Sequence, residues 1–155
     1  MDDLFSRLAT ADAVDAARLE REIEMRWAQS GSPSVDLLLK RARDAMEAGK
    51  TAEAIEHYTA LTDHAPGFAE GWYGRATAFF ESGRVGMAVA DLERALAFDP
   101  RHYKAIFGLG VIFETLNRHE EAFDAFGLVL QLHPNHEGAA EGVQRLSVKV
   151  NGVEL

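Results

Sequence analysis

The residues of this chain best equipped for chemistry are six histidines, His57, His64, His102, His119, His133 and His136, set among 25 aspartates and glutamates. Only His133-Pro134-Asn135-His136 brings two of them close in sequence. A first-row metal needs three or four convergent donors, and no third ligand stands beside that pair, so solvated loop histidines are expected and no metal. General acid–base work by paired carboxylates requires a pocket that raises one pKa. Glu20, Glu22 and Glu24, Glu53 and Glu56, and Glu120 and Glu121 instead read as the outer surfaces of helices. Gly108-Leu109-Gly110 follows no strand and lacks the later glycine and lysine of a phosphate loop. Cysteine is absent, which excludes disulfides, thiolate metal sites and cysteine nucleophiles. No other nucleophile motif is present. The sequence assigns no catalytic residue, no cofactor and no metal, and an enzyme is not expected.

The elements that would position any functional residue are constrained by the bulk numbers. With 155 residues the chain is long enough for one well-buried core, and 47% hydrophobic with 26% charged residues is a globular balance. A net charge of -9 repels a phosphate backbone, so nucleic acid is not an expected partner. No run of about 18 apolar residues occurs, so membrane insertion is not expected either. The start Met1-Asp2-Asp3-Leu4 is acidic where a signal peptide would be basic and apolar, so a signal peptide is expected only on a precursor and removed ahead of it.

A period of 34 residues organises the chain. Pro66, Pro100 and Pro134 keep that step, as do Ala54, Ala88 and Ala122, and Tyr58, Leu92 and Phe126. Leu38, Trp72 and Ile106 fall in register, followed by Ala42, Ala76 and Gly110, and by Ala45, Phe79 and Phe113. Within a unit, Trp72, Arg75, Ala76 and Phe79 lie on one stripe of a helix, and Ala88, Leu92 and Ala95 on a stripe of the next. Gly49, Gly83 and Asn117 mark left-handed turns between paired helices, and each proline stops the second helix. This spacing predicts helices at about 34–48, 51–64, 68–82, 85–98, 102–116 and 119–132.

These columns resemble the tetratricopeptide repeat family over residues 35–136. Trp72, Ala76, Phe79, Ala88, Leu92, Ala95 and Pro100 carry the likeness best, and Leu109, Gly110, Phe113, Ala122, Phe126 and Pro134 repeat it. The first unit departs at Arg41, where leucine is usual, and at Ala45, where an aromatic is usual. The resemblance implies an all-α, right-handed solenoid of antiparallel helix pairs, with repeats at 35–68, 69–102 and 103–136. A solenoid must cover its terminal apolar faces. Residues 137–149 supply a capping helix through Ala140, Val143 and Leu146, and 150–155 are expected to be a loose tail. Residues 1–33 form an N-terminal helical cap or a degenerate repeat, with Phe5, Leu8 and Ala9 at its start and Ala16, Leu19, Ile23 and Trp27 on one stripe. The alternative is a partner-binding or dimer-forming helix anchored by Trp27.

In the family the first helix of each pair lines a concave groove. Carried over by position, those places hold Asp36, Leu39, Arg43 and Met46, then Glu70, Tyr73, Thr77 and Phe80, then Lys104, Phe107, Val111 and Glu114. Large rings and an apolar strip ringed by charge suit a peptide-binding hot spot. The competing reading makes some of these rings core, or covers them with residues 1–30. Chaperone-binding members of the family hold a C-terminal carboxylate with Lys and Asn, Asn, then Lys and Arg. The matching places here hold Leu39 and Arg43, Gly74, then Lys104 and Gly108, and only Lys104 agrees. The resemblance therefore implies a protein or peptide partner, but not carboxylate capture of that kind. The expected function is a protein-interaction scaffold, monomeric or weakly self-associating, and the alternative is a structural or self-assembly role. Small bacterial proteins of this build are often made with a signal peptide, which points to the periplasm, with the cytoplasm as alternative.

Overall fold

Each helix pair is closed by the same backbone device. The computed structural model describes residues 1–152, and among them are nine α-helices and no strand. They are α1 (Asp2–Leu8), α2 (Ala13–Trp27), α3 (Pro33–Glu47), α4 (Thr51–His64), α5 (Ala69–Glu81), α6 (Val85–Phe98), α7 (Tyr103–Thr115), α8 (His119–Leu132) and α9 (Glu137–Asn151). Gly49, Gly83 and Asn117 have φ of +74°, +75° and +59°. This lets the following N–H reach back: Lys50 to the Ala45 carbonyl, Arg84 to Phe79 and Arg118 to Phe113, at 2.8 to 2.9 Å. That is the glycine-ended helix stop expected from the sequence, with asparagine tolerated once. Pro33 stands in the first turn of α3, whose N-cap Ser32 accepts the N–H of Val35. The fold is an all-α helical repeat, and the six repeat helices fall within one residue of the expected bounds.

The chain divides into two compact units, Met25–His102 and Met1–Glu24 with the chain from Tyr103 onward. In the first, α3, α4, α5 and α6 pack in order. Leu39, Ala42 and Ala45 meet Ala54, Tyr58 and Leu61, with Ala28, Met46 and Phe68 against the cluster. Arg75 of α5 makes a two-pronged bond to the buried Asp91 of α6, Nε to Oδ2 at 2.8 Å and Nη2 to Oδ1 at 2.9 Å. The guanidiniums of Arg75 and Arg94 stand over the Trp72 indole, 5.1 and 5.2 Å from its ring, and the indole donates to the Pro66 carbonyl.

In the other unit α8 packs between α7 and α9. A Cβ on Gly110 or on Gly142 would come within 2.5 Å of the Phe126 ring, so both glycines are what lets α7 and α9 approach it. Ala16, Leu19 and Ile23 of α2 are buried, as their stripe predicts. The short α1 departs from the expectation of a repeat-like start: it has seven residues, Ala9 is exposed, and Phe5 rests edge-on against Tyr103. The expected loose tail is also corrected. Val150 and Asn151 belong to α9, whose amphipathic helix continues to the left-handed Gly152, while residues 153–155 lie outside the described residues.

Candidate partner-binding face

Of the groove residues expected on α3 and α5, five converge. Arg43, Met46, Glu70, Tyr73 and Thr77 line a cavity of 150 Å³ together with Tyr58 and Gly74. Tyr58 comes from α4 and forms its floor. The ring lies so close beneath α5 that a Cβ on Gly74 would sit 2.2 Å from its Cε1. Burial pushes the Tyr58 phenol up to about 12, so it remains neutral. The Thr77 hydroxyl donates to the Tyr73 carbonyl at 3.2 Å, so this bond is made within α5 itself. Phe80, one turn on, is 37% exposed.

Two of the expected groove residues are placed differently. Leu39 is 3% exposed and belongs to the core cluster with Ala42, Tyr58 and Leu61. That cluster includes Ala54 of α4 as well, and Ala28, from the segment after α2, packs against it. Glu70, expected on a solvated rim, is buried: Arg43 Nη2 donates to its Oε2 at 2.6 Å and His102 Nε2 to its Oε1 at 2.5 Å. Trp27 stacks on the His102 imidazole with centroids 4.0 Å apart and planes 10° from parallel, and Tyr73 tilts against the same ring at 4.8 Å. Asp36 accepts from the Ser30 N–H and hydroxyl at 2.9 and 2.6 Å, which hold its carboxyl below the usual range. It therefore anchors the entry to α3.

The groove residues of α7 lie in the other unit and have partners there. Lys104 Nζ is 2.7 Å from Glu24 of α2. Phe107 is half-buried, its ring 5.4 Å from Phe126 and 4.8 Å from His136. Glu114 accepts two bonds from Arg145, both 2.7 Å, and that hydrogen bonding lowers its pKa. Val111 is half-buried.

The histidines also depart from the solvated loops expected. His102 and His133 are 0% and 2% exposed. His133 Nε2 donates to Glu20 at 2.7 Å, and its Nδ1 is buried with no hydrogen-bond partner among the described residues. Burial, with the neighbouring His133 next, lowers the pKa of His136, and its Nδ1 accepts the Ala139 N–H. Neither buried histidine carries a signal in its own neighbourhood, because their carboxylates lie 32 and 113 residues away. Among the described residues no group of three or more such side chains is placed to hold a metal ion, and no helix is long and apolar enough to cross a membrane.

Residues 39–100 and 86–137 match the family model described as tetratricopeptide repeat. A TPR repeat-containing protein of Rhizobium etli is 30% identical over 153 residues, 98% of this chain and 75% of that protein. Hsp70-Hsp90 organizing protein 2 of Arabidopsis thaliana is 22% identical over 138 residues, 88% of this chain but 24% of its own length. A solved structure of the first TPR of Spaghetti (RPAP3), bound to the HSP90 peptide SRMEEVD, is similar with a TM-score of 0.72 at 27% identity. It covers 76% of this chain and 93% of that one.

Proposed function

This chain belongs to the tetratricopeptide repeat family, and from that premise we propose that it is a protein-interaction module holding a segment of another protein against α3 and α5. The observation that carries this reading is the open cavity over Tyr58, walled by Arg43, Met46, Tyr73 and Thr77. At 150 Å³ it is smaller than the pockets that enclose whole small molecules, and it matches one large apolar side chain of a bound segment. Aromatic walls with few rotamers to freeze favour such an anchor.

The similar structure that holds an HSP90 peptide supports peptide binding as the mode. The chemistry of the anchor differs here. Arg43 is joined to Glu70 and, within the other unit, Lys104 to Glu24, so each of these cations already has a carboxylate neighbour. A partner's apolar side chain, not its terminal carboxylate, is the group this face recognises.

Photo-crosslinking tests the reading. A benzophenone amino acid at Met46 in the full chain, irradiated in extract of the source cells, captures a partner whose linked residue lies beside a large apolar side chain. Thr77→Phe, which fills the cavity while leaving both ion pairs, abolishes that product. Capture that persists in Thr77→Phe overturns the cavity as the anchor site.

A further inference from the structure

Two positions related by the 34-residue step behave differently in the first and second repeats. Within Met25–His102, α5 packs on α4 through Gly71, which lies 3.2 Å from the Leu61 side chain by its missing Cβ. Arg75 continues that contact, its Nη1 reaching the Thr59 hydroxyl at 3.4 Å. One period earlier these positions are Leu37 and Arg41 of α3, and Leu37 is 47% exposed. A cleft of 480 Å³ runs from Ser32 and Leu38 past Arg41 to His64. A second, of 430 Å³, runs from Arg41 past Ala48 to Lys50 and His57. The two clefts adjoin at Arg41 and together form the furrow along α3, a helix of 15 residues or about 22 Å.

The charges differ too. Arg75 is neutralised inside its own repeat by Asp91. The residues one period earlier are Arg41 and His57, so an imidazole stands where the carboxylate would be. His57 is itself 3.6 Å from Glu53, and Arg41 has no carboxylate partner among the described residues. The exposed Leu37 and Arg41 thus share one furrow, whose carboxylates Asp44 and Glu53 are paired with Lys40 and with Lys50 and His57.

We propose that this furrow docks a helix of a partner protein, laid on α3 as α4 is laid on α5. The packing of α4 on α5 supplies the geometry, and the charge of Arg41 supplies the chemistry. The partner helix carries a small residue over Leu37, where α4 carries Leu61 over a glycine, and an aspartate or glutamate opposite Arg41. This surface is separate from the Tyr58 cavity, and the proposal stands independently of what that cavity binds.

The probe is a synthetic peptide of residues 51–66, kept helical by a staple on its outward side. It carries Leu61→Ala to clear Leu37 and Thr59→Glu to meet Arg41. Titrated into the ¹⁵N-labelled full chain, it shifts amide resonances in 32–41 and 57–64 saturably. Arg41→Glu, on an exposed side chain, weakens binding about tenfold by making a like-charge contact. A peptide with Thr59→Lys in place of Thr59→Glu restores affinity for the Arg41→Glu chain. Absent shifts, shifts centred elsewhere, or indifference to Arg41→Glu overturn the proposal. So does sedimentation of the chain alone as a dimer that Arg41→Glu dissociates, because the occupant is then a second copy.

Discussion

The imidazole of His136 caps α9, its Nδ1 accepting the backbone N–H of Ala139 at 3.0 Å. A ring nitrogen accepts only when it carries no proton, so the cap exists only in the neutral histidine. The packing that surrounds it enforces that state. Burial depresses the His136 pKa, with the neighbouring His133 adding to the effect and Glu20 opposing it.

Stability therefore varies with pH through this residue. The folded pKa lies below the unfolded value of 6.5, so the unfolded chain takes up the proton first as pH falls. The contribution is complete above that value and declines below it, down to the folded pKa. Urea midpoints measured from about pH 7.5 to about pH 5.5 fall in the wild type. In His136→Ser, whose hydroxyl caps without titrating in this range, the fall is shallower. Equal slopes would remove His136 from the account.

Two glycines in helices should respond oppositely to alanine. A Cβ on Gly110 meets the Phe126 ring at 2.5 Å, whereas one on Gly127 meets nothing within 4 Å. Gly110→Ala lowers unfolding free energy by about 1–3 kcal/mol through overpacking. Gly127→Ala raises it by about 0.5–1 kcal/mol, since alanine has less backbone freedom to lose. Denaturant melts of the two variants give the comparison, and the same sign for both would contradict it.

Glu70 is buried between Arg43 and His102, so its removal leaves a buried imidazole without its acceptor. Glu70→Ala costs about 1–3 kcal/mol, the scale for leaving a buried polar group without its partner, since Arg43 is half exposed and can turn to water. Glu70→Gln keeps a carbonyl acceptor for one of the two donors and costs less. Near-ultraviolet circular dichroism should report the loss as well, because Trp27 stacks on His102.

Asn117 ends α7 with a positive φ that Gly49 and Gly83 adopt freely. Asn117→Gly is neutral to mildly stabilising, and Asn117→Val loses about 1–2 kcal/mol to the left-handed backbone. Thermal unfolding of both distinguishes this from a side-chain role for Asn117, in which glycine would be the more damaging change.

The helices and turns were legible because the 34-residue step superposes three independent samples of each position. Pro66, Pro100 and Pro134 place the stops, and Gly49, Gly83 and Asn117 place the left-handed turns. The face of a single residue was less legible. In Leu37-Leu38-Leu39 any one of three neighbours satisfies an apolar stripe, and only the packed cluster with Tyr58 and Leu61 shows Leu39 buried, Leu38 against its edge and Leu37 exposed. The ion pairs were not legible at all. Glu70 and His102 sit on separate helix boundaries 32 residues apart, and nothing local to either distinguishes a buried carboxylate from a solvated one. Arg41 and Ala45 stood out as departures from the family pattern, yet only the contacts of Arg75 and Asp91 give Arg41 a meaning.

The bond from His133 to Glu20 joins residues 113 positions apart, and it has a consequence for birth on the ribosome. The unit Met25–His102 is unbroken in sequence and emerges whole. Glu20, Glu24 and Phe5 emerge before it, yet their partners His133, Lys104 and Tyr103 are translated after it. At about 5–20 residues per second, α2 waits roughly 6–20 s between leaving the exit tunnel and meeting His133. During that interval Ala16, Leu19 and Ile23 have no cover from the later helices of their own unit. An apolar stripe made early is thus sheltered late, and the nascent chain offers it to whatever factor stands at the tunnel mouth.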